Sequence, residues 1–245
     1  MIPLVVLGAR GRMGRAVVET AAADAGFHLK ASVGRTGATL ADAVARGDVV
    51  VEFSDRAGAV EAARVCAERG AALVSGSTGL SAEDEDAVRR AAERIALLRA
   101  ANFSLGVLAL RRAVSAALGV LKAWDVEIVE RHHRDKQDSP SGTALHLARE
   151  VAASRGYPES ARRSGREGRT GTRPAAEIGI HAVRGGSWVG DHEVLLAGPG
   201  EWLEIRHVAQ DRTAFAHGVL AAARFVSSAA PGFYTLDDVT SAAAP

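Results

Sequence analysis

The sequence predicts an α/β fold, a parallel sheet covered by helices, joined to a second α+β domain built on a mixed or antiparallel sheet. Three observations carry this expectation. The first hundred residues alternate short β-branched runs with longer Ala-rich segments of helical period. A glycine-rich turn joins the first run to the first helical segment within ten residues of the start. Near residue 105 the alternation gives way to a long apolar helix followed by strands.

Candidate strands cover 2–7, 28–33, 48–52, 71–75 and 95–98. Between them, 12–25, 55–70 and 81–94 have helical spacing, and each opens on a polar or glycine-containing turn. A helix at 106–121, a strand at 125–131 and a helix at 141–154 follow. Residues 162–173 are rich in Gly and Arg and lack hydrophobic period, which reads as a mobile loop. Strands are expected near 178–184, 189–197 and 201–208, with turn residues that suit antiparallel pairing. A last helix at 212–228 returns to the first domain, so the expected domains are 1–104 with 212–245 and, separately, 105–211. The Ala-rich tail at 242–244 is expected to fray.

A chain of 245 residues, 47% apolar and 24% charged, is ordinary globular protein and not a disordered one. Net charge of +1 supplies no general attraction to nucleic acid or to a membrane surface. The opening residues lack a basic segment and a long apolar core, and Arg111 and Arg112 break the most apolar later stretch, so neither secretion nor a membrane span is expected. Cys66 is the only cysteine, which excludes an intramolecular disulfide and suits the cytoplasm. Among 30 basic residues only Lys30, Lys122 and Lys136 are lysines, so a lysine inside a motif is less a matter of background here.

Leu4 to Leu7 run into Gly8-Ala9-Arg10-Gly11-Arg12-Met13-Gly14, with glycines at i, i+3 and i+6. Such a strand–turn–helix lets a pyrophosphate approach backbone N–H groups at the positive end of the helix, the Rossmann-like arrangement for a dinucleotide. Plain turn chemistry is the competing reading, since Arg10 stands where G-x-G-x-x-G has its second glycine. The second strand ends on Gly34-Arg35, without the carboxylate that usually meets the ribose of NAD. Arg35, with Arg10 or Arg12, could instead meet the 2′-phosphate of NADPH, or be a solvated surface arginine. Gly76-Ser77-Thr78 and Ala100-Ala101-Asn102-Phe103 follow the fourth and fifth strands, where open α/β sheets bind ligands. Both could line the nicotinamide half or be ordinary loops, Ser81 and Asp84 having the spacing of a capping box.

The most informative stretch is Glu130-Arg131-His132-His133-Arg134-Asp135-Lys136 through Ser139-Pro140-Ser141-Gly142-Thr143-Ala144. A histidine titrates near neutrality and can protonate a carbanion-like carbon, and an ammonium can pair with a carboxylate. Ser141, Gly142 and Thr143 open a helix whose first N–H groups suit a second carboxylate, so His132 and Lys136 read as the chemistry of a dicarboxylate site. A solvated loop, simple capping and a metal site compete. Neighbours on a strand face opposite ways, so His132 and His133 do not readily chelate one ion, and no metal is expected.

These segments, with Arg166-Glu167-Gly168-Arg169-Thr170-Gly171 and Val189-Gly190-Asp191-His192, resemble the dihydrodipicolinate reductase family over nearly the whole chain. The resemblance implies a two-domain reductase using NADH or NADPH, usually a homotetramer assembled through the sheets of its substrate domains. It implies hydride delivery to C4 of a cyclic imine dicarboxylate, loss of the 4-hydroxyl as water, and protonation at C3 by His132 with Lys136 assisting. By the same resemblance His133, Gly142 and Thr143 match substrate contacts, and 76–78 and 100–103 match cofactor contacts. Two departures bear on cofactor choice: many members carry an acid where Gly34 sits, and many have a longer segment between Arg35 and Asp48. The competing functions are another Rossmann oxidoreductase, such as a semialdehyde dehydrogenase working through Cys66, and a nucleotide-binding sensor without catalysis.

Overall fold

The computed structural model describes residues 1–34 and 39–241, and Arg35 and the tail at 242–244 lie outside them. Two compact units form, Met1–Leu105 with the chain from Arg212 onward, and Gly106–Asp211.

The first unit alternates β1 (Ile2–Leu7), α1 (Arg12–Ala22), β2 (Phe27–Val33), α2 (Leu40–Ala43), β3 (Val49–Glu52), α3 (Arg56–Arg69), β4 (Ala72–Ser75), α4 (Ala82–Ala91) and β5 (Ala96–Arg99). β3 and the middle of β1 are continuous buried runs, as strands covered on both faces must be. Helix boundaries follow capping chemistry. Asp55 accepts from the Gly58 N–H, Ser81 and Asp84 form a reciprocal capping box, and Gly70 ends α3 in the left-handed conformation.

The second unit holds most of α5 (Leu105–Val120), β6 (Asp125–His132), α6 (Gly142–Arg155), β7 (Arg162–Ser164), β8 (Ile178–Arg184), β9 (Gly190–Gly198) and β10 (Glu201–Ala209). The chain then adds α7 (Thr213–Val226), β11 (Gly232–Tyr234) and α8 (Leu236–Ser241) to the first unit. Among the described residues the first sheet runs β11-β5-β4-β3-β1-β2, and all its pairings are parallel. The second runs β10-β9-β6-β8-β7. There β9 pairs antiparallel with β6 and β10, whereas β8 pairs parallel with β6 and β7, so the sheet is mixed. On one face Val126, Ile128, Ile178, Ile180, Val194 and Leu196 pack with Leu147 and Val151 of α6. Row neighbours Val183, Arg131, Asp191 and Val208 lie on the other, where Val183, Trp202 and Val208 are exposed.

The loop expected at 162–173 is found over 165–173, and its first three residues are a correction. Arg162–Ser164 form β7, and the remainder is anchored by charge. Arg166 bonds Glu127 at 2.7 and 3.0 Å and Glu177 at 2.5 and 3.2 Å, while Arg173 bonds Glu127, Asp125 and three backbone carbonyls. Gly165, Gly168 and Gly171 all take positive φ, which lets the chain turn between these anchors. The arginines that looked like loop composition are the clamps. The short α2, β11 and α8, none expected from sequence, carry too few residues to establish a period.

Candidate active site

On β6 burial alternates, and Val126, Ile128, Glu130 and His132 share the buried face. Glu130, fully buried, is the hub of the polar cluster at the strand's end. Its Oε2 lies 2.6 Å from His132 Nδ1, its Oε1 accepts the Ser141 N–H at 3.0 Å, and Arg184 donates to both oxygens at 2.7 Å. Burial raises the Glu130 pKa, but the bonds from His132, Arg184 and Ser141 outweigh it and hold the carboxyl down to about 2. With Nδ1 engaged by the carboxylate, Nε2 is the nitrogen His132 keeps for other partners.

Ser141 caps α6, its hydroxyl accepting the Ala144 N–H at 3.1 Å and lying 2.9 Å from His192 Nε2. His192 stands opposite Glu130 across the β6–β9 ladder, and its ring meets His132 edge to face at 5.1 Å. Burial, with the neighbouring His132 adding to it, lowers His192 to about 4, so it is neutral at physiological pH. Gly142 is exposed at the start of α6, and Thr143 follows it half-buried.

His133 directly follows the end of β6, and its N–H donates to the Trp188 carbonyl at 2.8 Å. Lys136 sits in the turn after β6 with Nζ 2.8 and 2.9 Å from the Asp138 carboxylate. No group of three or more His, Cys, Asp or Glu side chains among the described residues could hold a metal ion.

In the first unit Gly8 takes φ +82°, and a Cβ there would stand 2.1 Å from the Phe53 carbonyl oxygen. A Cβ on Gly14 would come within 2.2 Å of the Gly8 carbonyl, so α1 approaches the turn as only glycine permits. Gly11 caps α1 with no side-chain hydrogen bond, and its first turn holds no acid, whereas Thr39, Asp55 and Ser81 cap α2, α3 and α4. That helix end is left open to an anion. Ala9, Arg12 and Met13 lie within this turn and first helical residues, and Arg10 passes Gly34 at 3.8 Å from where its Cβ would be.

Phe53, which sequence reasoning did not single out, organises the neighbouring turns. A Cβ on Gly76 would meet its ring at 2.1 Å, and Phe103 stacks on it edge to face at 5.6 Å. Ser77 is buried and Thr78 exposed; Ala100 donates its N–H to the Ser75 carbonyl, Ala101 is exposed, and Asn102 accepts from the Ser104 N–H at 2.8 Å. These glycine, hydroxyl and open-helix features fit a pyridine dinucleotide. Cys66, in contrast, is fully buried within α3, and burial pushes its thiol well up, which removes the reading of a cysteine nucleophile.

The family model for the N-terminus of dihydrodipicolinate reductase matches residues 2–103, and that for its C-terminus matches 106–240. The chain belongs to the dihydrodipicolinate reductase family. Relatives named 4-hydroxy-tetrahydrodipicolinate reductase share its length. The protein of Halorhodospira halophila is 40% identical, covering 96% of this chain and 97% of its own. That of Thermomicrobium roseum is 42% identical, covering 98% and 99%. Among solved structures, dipicolinate-bound dihydrodipicolinate reductase from Paenisporosarcina sp. TG-14 superposes with a TM-score of 0.78 at 25% identity, covering 96% of this chain and 97% of that one. Membership in the dihydrodipicolinate reductase family carries the α/β fold with a Rossmann-like N-terminal sheet and a second mixed sheet. No helix among the described residues is long and apolar enough to cross a membrane.

Proposed function

We infer that the chain is an NAD(P)H-dependent 4-hydroxy-tetrahydrodipicolinate reductase of lysine and diaminopimelate biosynthesis. The observation that carries its chemistry is the buried Glu130 carboxylate 2.6 Å from His132 Nδ1, which leaves Nε2 as the proton-donating atom.

Loss of the 4-hydroxyl together with a C3 proton, as water, would leave a conjugated cyclic imine dicarboxylate, to whose C4 the dinucleotide, when bound, would supply hydride. His132 Nε2 then protonates the resulting enamine carbon, C3. Lys136 assists as a charged partner of a substrate carboxylate, released from Asp138 when that anion arrives. The Gly142 and Thr143 end of α6 receives the second carboxylate, and Ser141 keeps that helix end in place through Glu130. His133, the residue after the strand end, contributes a further substrate contact.

Gly8, Ala9, Arg10, Gly11, Arg12 and Met13 would hold the pyrophosphate, and Gly34 the ribose end. The nicotinamide half belongs to Gly76, Ser77, Thr78, Ala100, Ala101, Asn102 and Phe103. With no carboxylate at Gly34, NADPH is preferred over NADH, Arg35 meeting the 2′-phosphate. On Arg35→Ala the ratio of NADPH to NADH efficiency should fall; an unchanged ratio contradicts this preference. The exposed Val183, Trp202 and Val208 on one sheet face support a homotetramer, and the single buried thiol suits the cytoplasm.

The assay follows NADPH and NADH oxidation with the product of a dihydrodipicolinate synthase as substrate. Turnover is expected with at least one cofactor, and none with either overturns the assignment.

A further inference from the structure

The mechanism above leaves one fully buried acid unused. Glu52 ends β3 with no exposure, in the middle of the parallel sheet. Its Oε1 accepts from the Ser54 N–H at 2.6 Å, the Ser54 hydroxyl at 2.7 Å and the Ser77 hydroxyl at 2.6 Å. Its Oε2 accepts the Ser75 hydroxyl at 2.8 Å. Arg99, at the end of β5, donates to that same Ser75 oxygen at 3.2 Å, so the cation reaches Glu52 only through a hydroxyl.

One carboxylate thus ties together the carboxyl ends of three adjacent parallel strands. From β3 it takes Ser54, from β4 Ser75 and Ser77, and from β5, by relay, Arg99. Ser77 lies in the turn after β4, and Arg99 directly precedes the 100–103 segment. A Cβ on Gly58 would come 2.1 Å from the Ser54 hydroxyl, so the start of α3 leaves the space that lets Ser54 reach the acid.

A buried carboxylate without a directly paired cation is a poor way to stabilise a core, because its desolvation is costly and an apolar side chain packs there more cheaply. Its return is geometric: four donors converging on two oxygens fix loops that otherwise have few backbone bonds. We propose that Glu52 is the positioning residue of the dinucleotide cradle, holding the Gly76–Ser77–Thr78 turn and the Ser54 turn in register. The proposal rests on the reading of these turns as the nicotinamide side of the cofactor site. Glu52 touches neither substrate nor cofactor in this role; it acts through Ser77 and Ser54.

Binding of NADPH and NADH to Glu52→Gln is measured by nicotinamide fluorescence, beside the dicarboxylate KM at saturating cofactor and the unfolding midpoint. The cofactor Kd is expected to rise about tenfold, the factor that 1.4 kcal/mol brings, with the dicarboxylate KM within about twofold of wild type. Ser77→Ala, which deletes one hydroxyl and leaves Glu52 its other donors, is the companion should Glu52→Gln not fold, and it should raise Kd about threefold. A folded variant with unchanged cofactor Kd overturns the proposal, and so does an equal loss of affinity for cofactor and dicarboxylate. Wild-type protein that binds neither dinucleotide overturns the underlying cofactor reading instead.

Discussion

Glu130 and Arg184 form a two-point pair, each terminal guanidinium nitrogen 2.7 Å from a carboxylate oxygen, and the same carboxylate holds His132. Fork-to-fork geometry of this kind fixes direction as well as distance. The imidazole is therefore aimed by a group that is itself aimed.

Removing that carboxylate leaves the Arg184 charge without its buried partner. Glu130→Gln should destabilise the fold by roughly 3 kcal/mol, the usual cost of breaking a buried pair, and Glu130→Gln with Arg184→Met should recover part of it. Calorimetric midpoints of the two variants check this. The double variant should regain stability without regaining turnover.

Acid should weaken the protein in two stages. His192 titrates near 4 when folded, against 6.5 for an ordinary imidazole, because burial and the adjacent His132 disfavour its charge. The unfolded chain binds that proton first, so this contribution is complete above about 6.5 and is lost as pH falls toward about 4. It amounts to roughly 3 kcal/mol. Glu127 and Glu130, each held to about 2 against 4.5, lose their share below about 4.5. Burial opposes both shifts, and hydrogen bonds from Arg166 and from His132, respectively, lead the groups that overcome it. Urea unfolding of His192→Gln between pH 7.5 and 4.5 should show a shallower slope than wild type.

The anchored 162–173 segment should resist trypsin despite its five arginines. Glu127→Gln removes the shared acceptor of Arg166 and Arg173 and should expose cleavage sites there. Digestion rates of folded wild type and variant, compared by mass spectrometry, decide it.

The exposed sheet face offers a fourth test. Trp202→Glu, at a position 69% exposed in the single chain, should lower the oligomer mass seen by light scattering if copies pair through this face. An unchanged oligomer mass would place the interface elsewhere.

Much of this was legible in the residues. The βαβ series announced itself because buried parallel strands carry unbroken apolar runs such as Val49–Val51, with glycine or capping residues between them. His132 stood out by type and neighbourhood. Its partner Glu130 lies two residues away, on the same face by strand period, and that spacing was the available signal. Arg184 and His192 join the cluster only through strand pairing across more than fifty residues, which local pattern does not encode. Glu52 carried a faint mark, a charge closing an apolar strand. The 162–173 segment misled because long-range ion pairs, not hydrophobic period, hold it.

The most direct test of the account is kcat for His132→Ala, Glu130→Gln and the double variant, with cofactor and dicarboxylate saturating. His132→Ala should lose about 10²–10⁴-fold, the usual worth of a positioned acid. Since Glu130 acts through His132, the double variant should be no slower than His132→Ala alone. Full activity in His132→Ala, or losses that multiply in the double variant, would contradict the account.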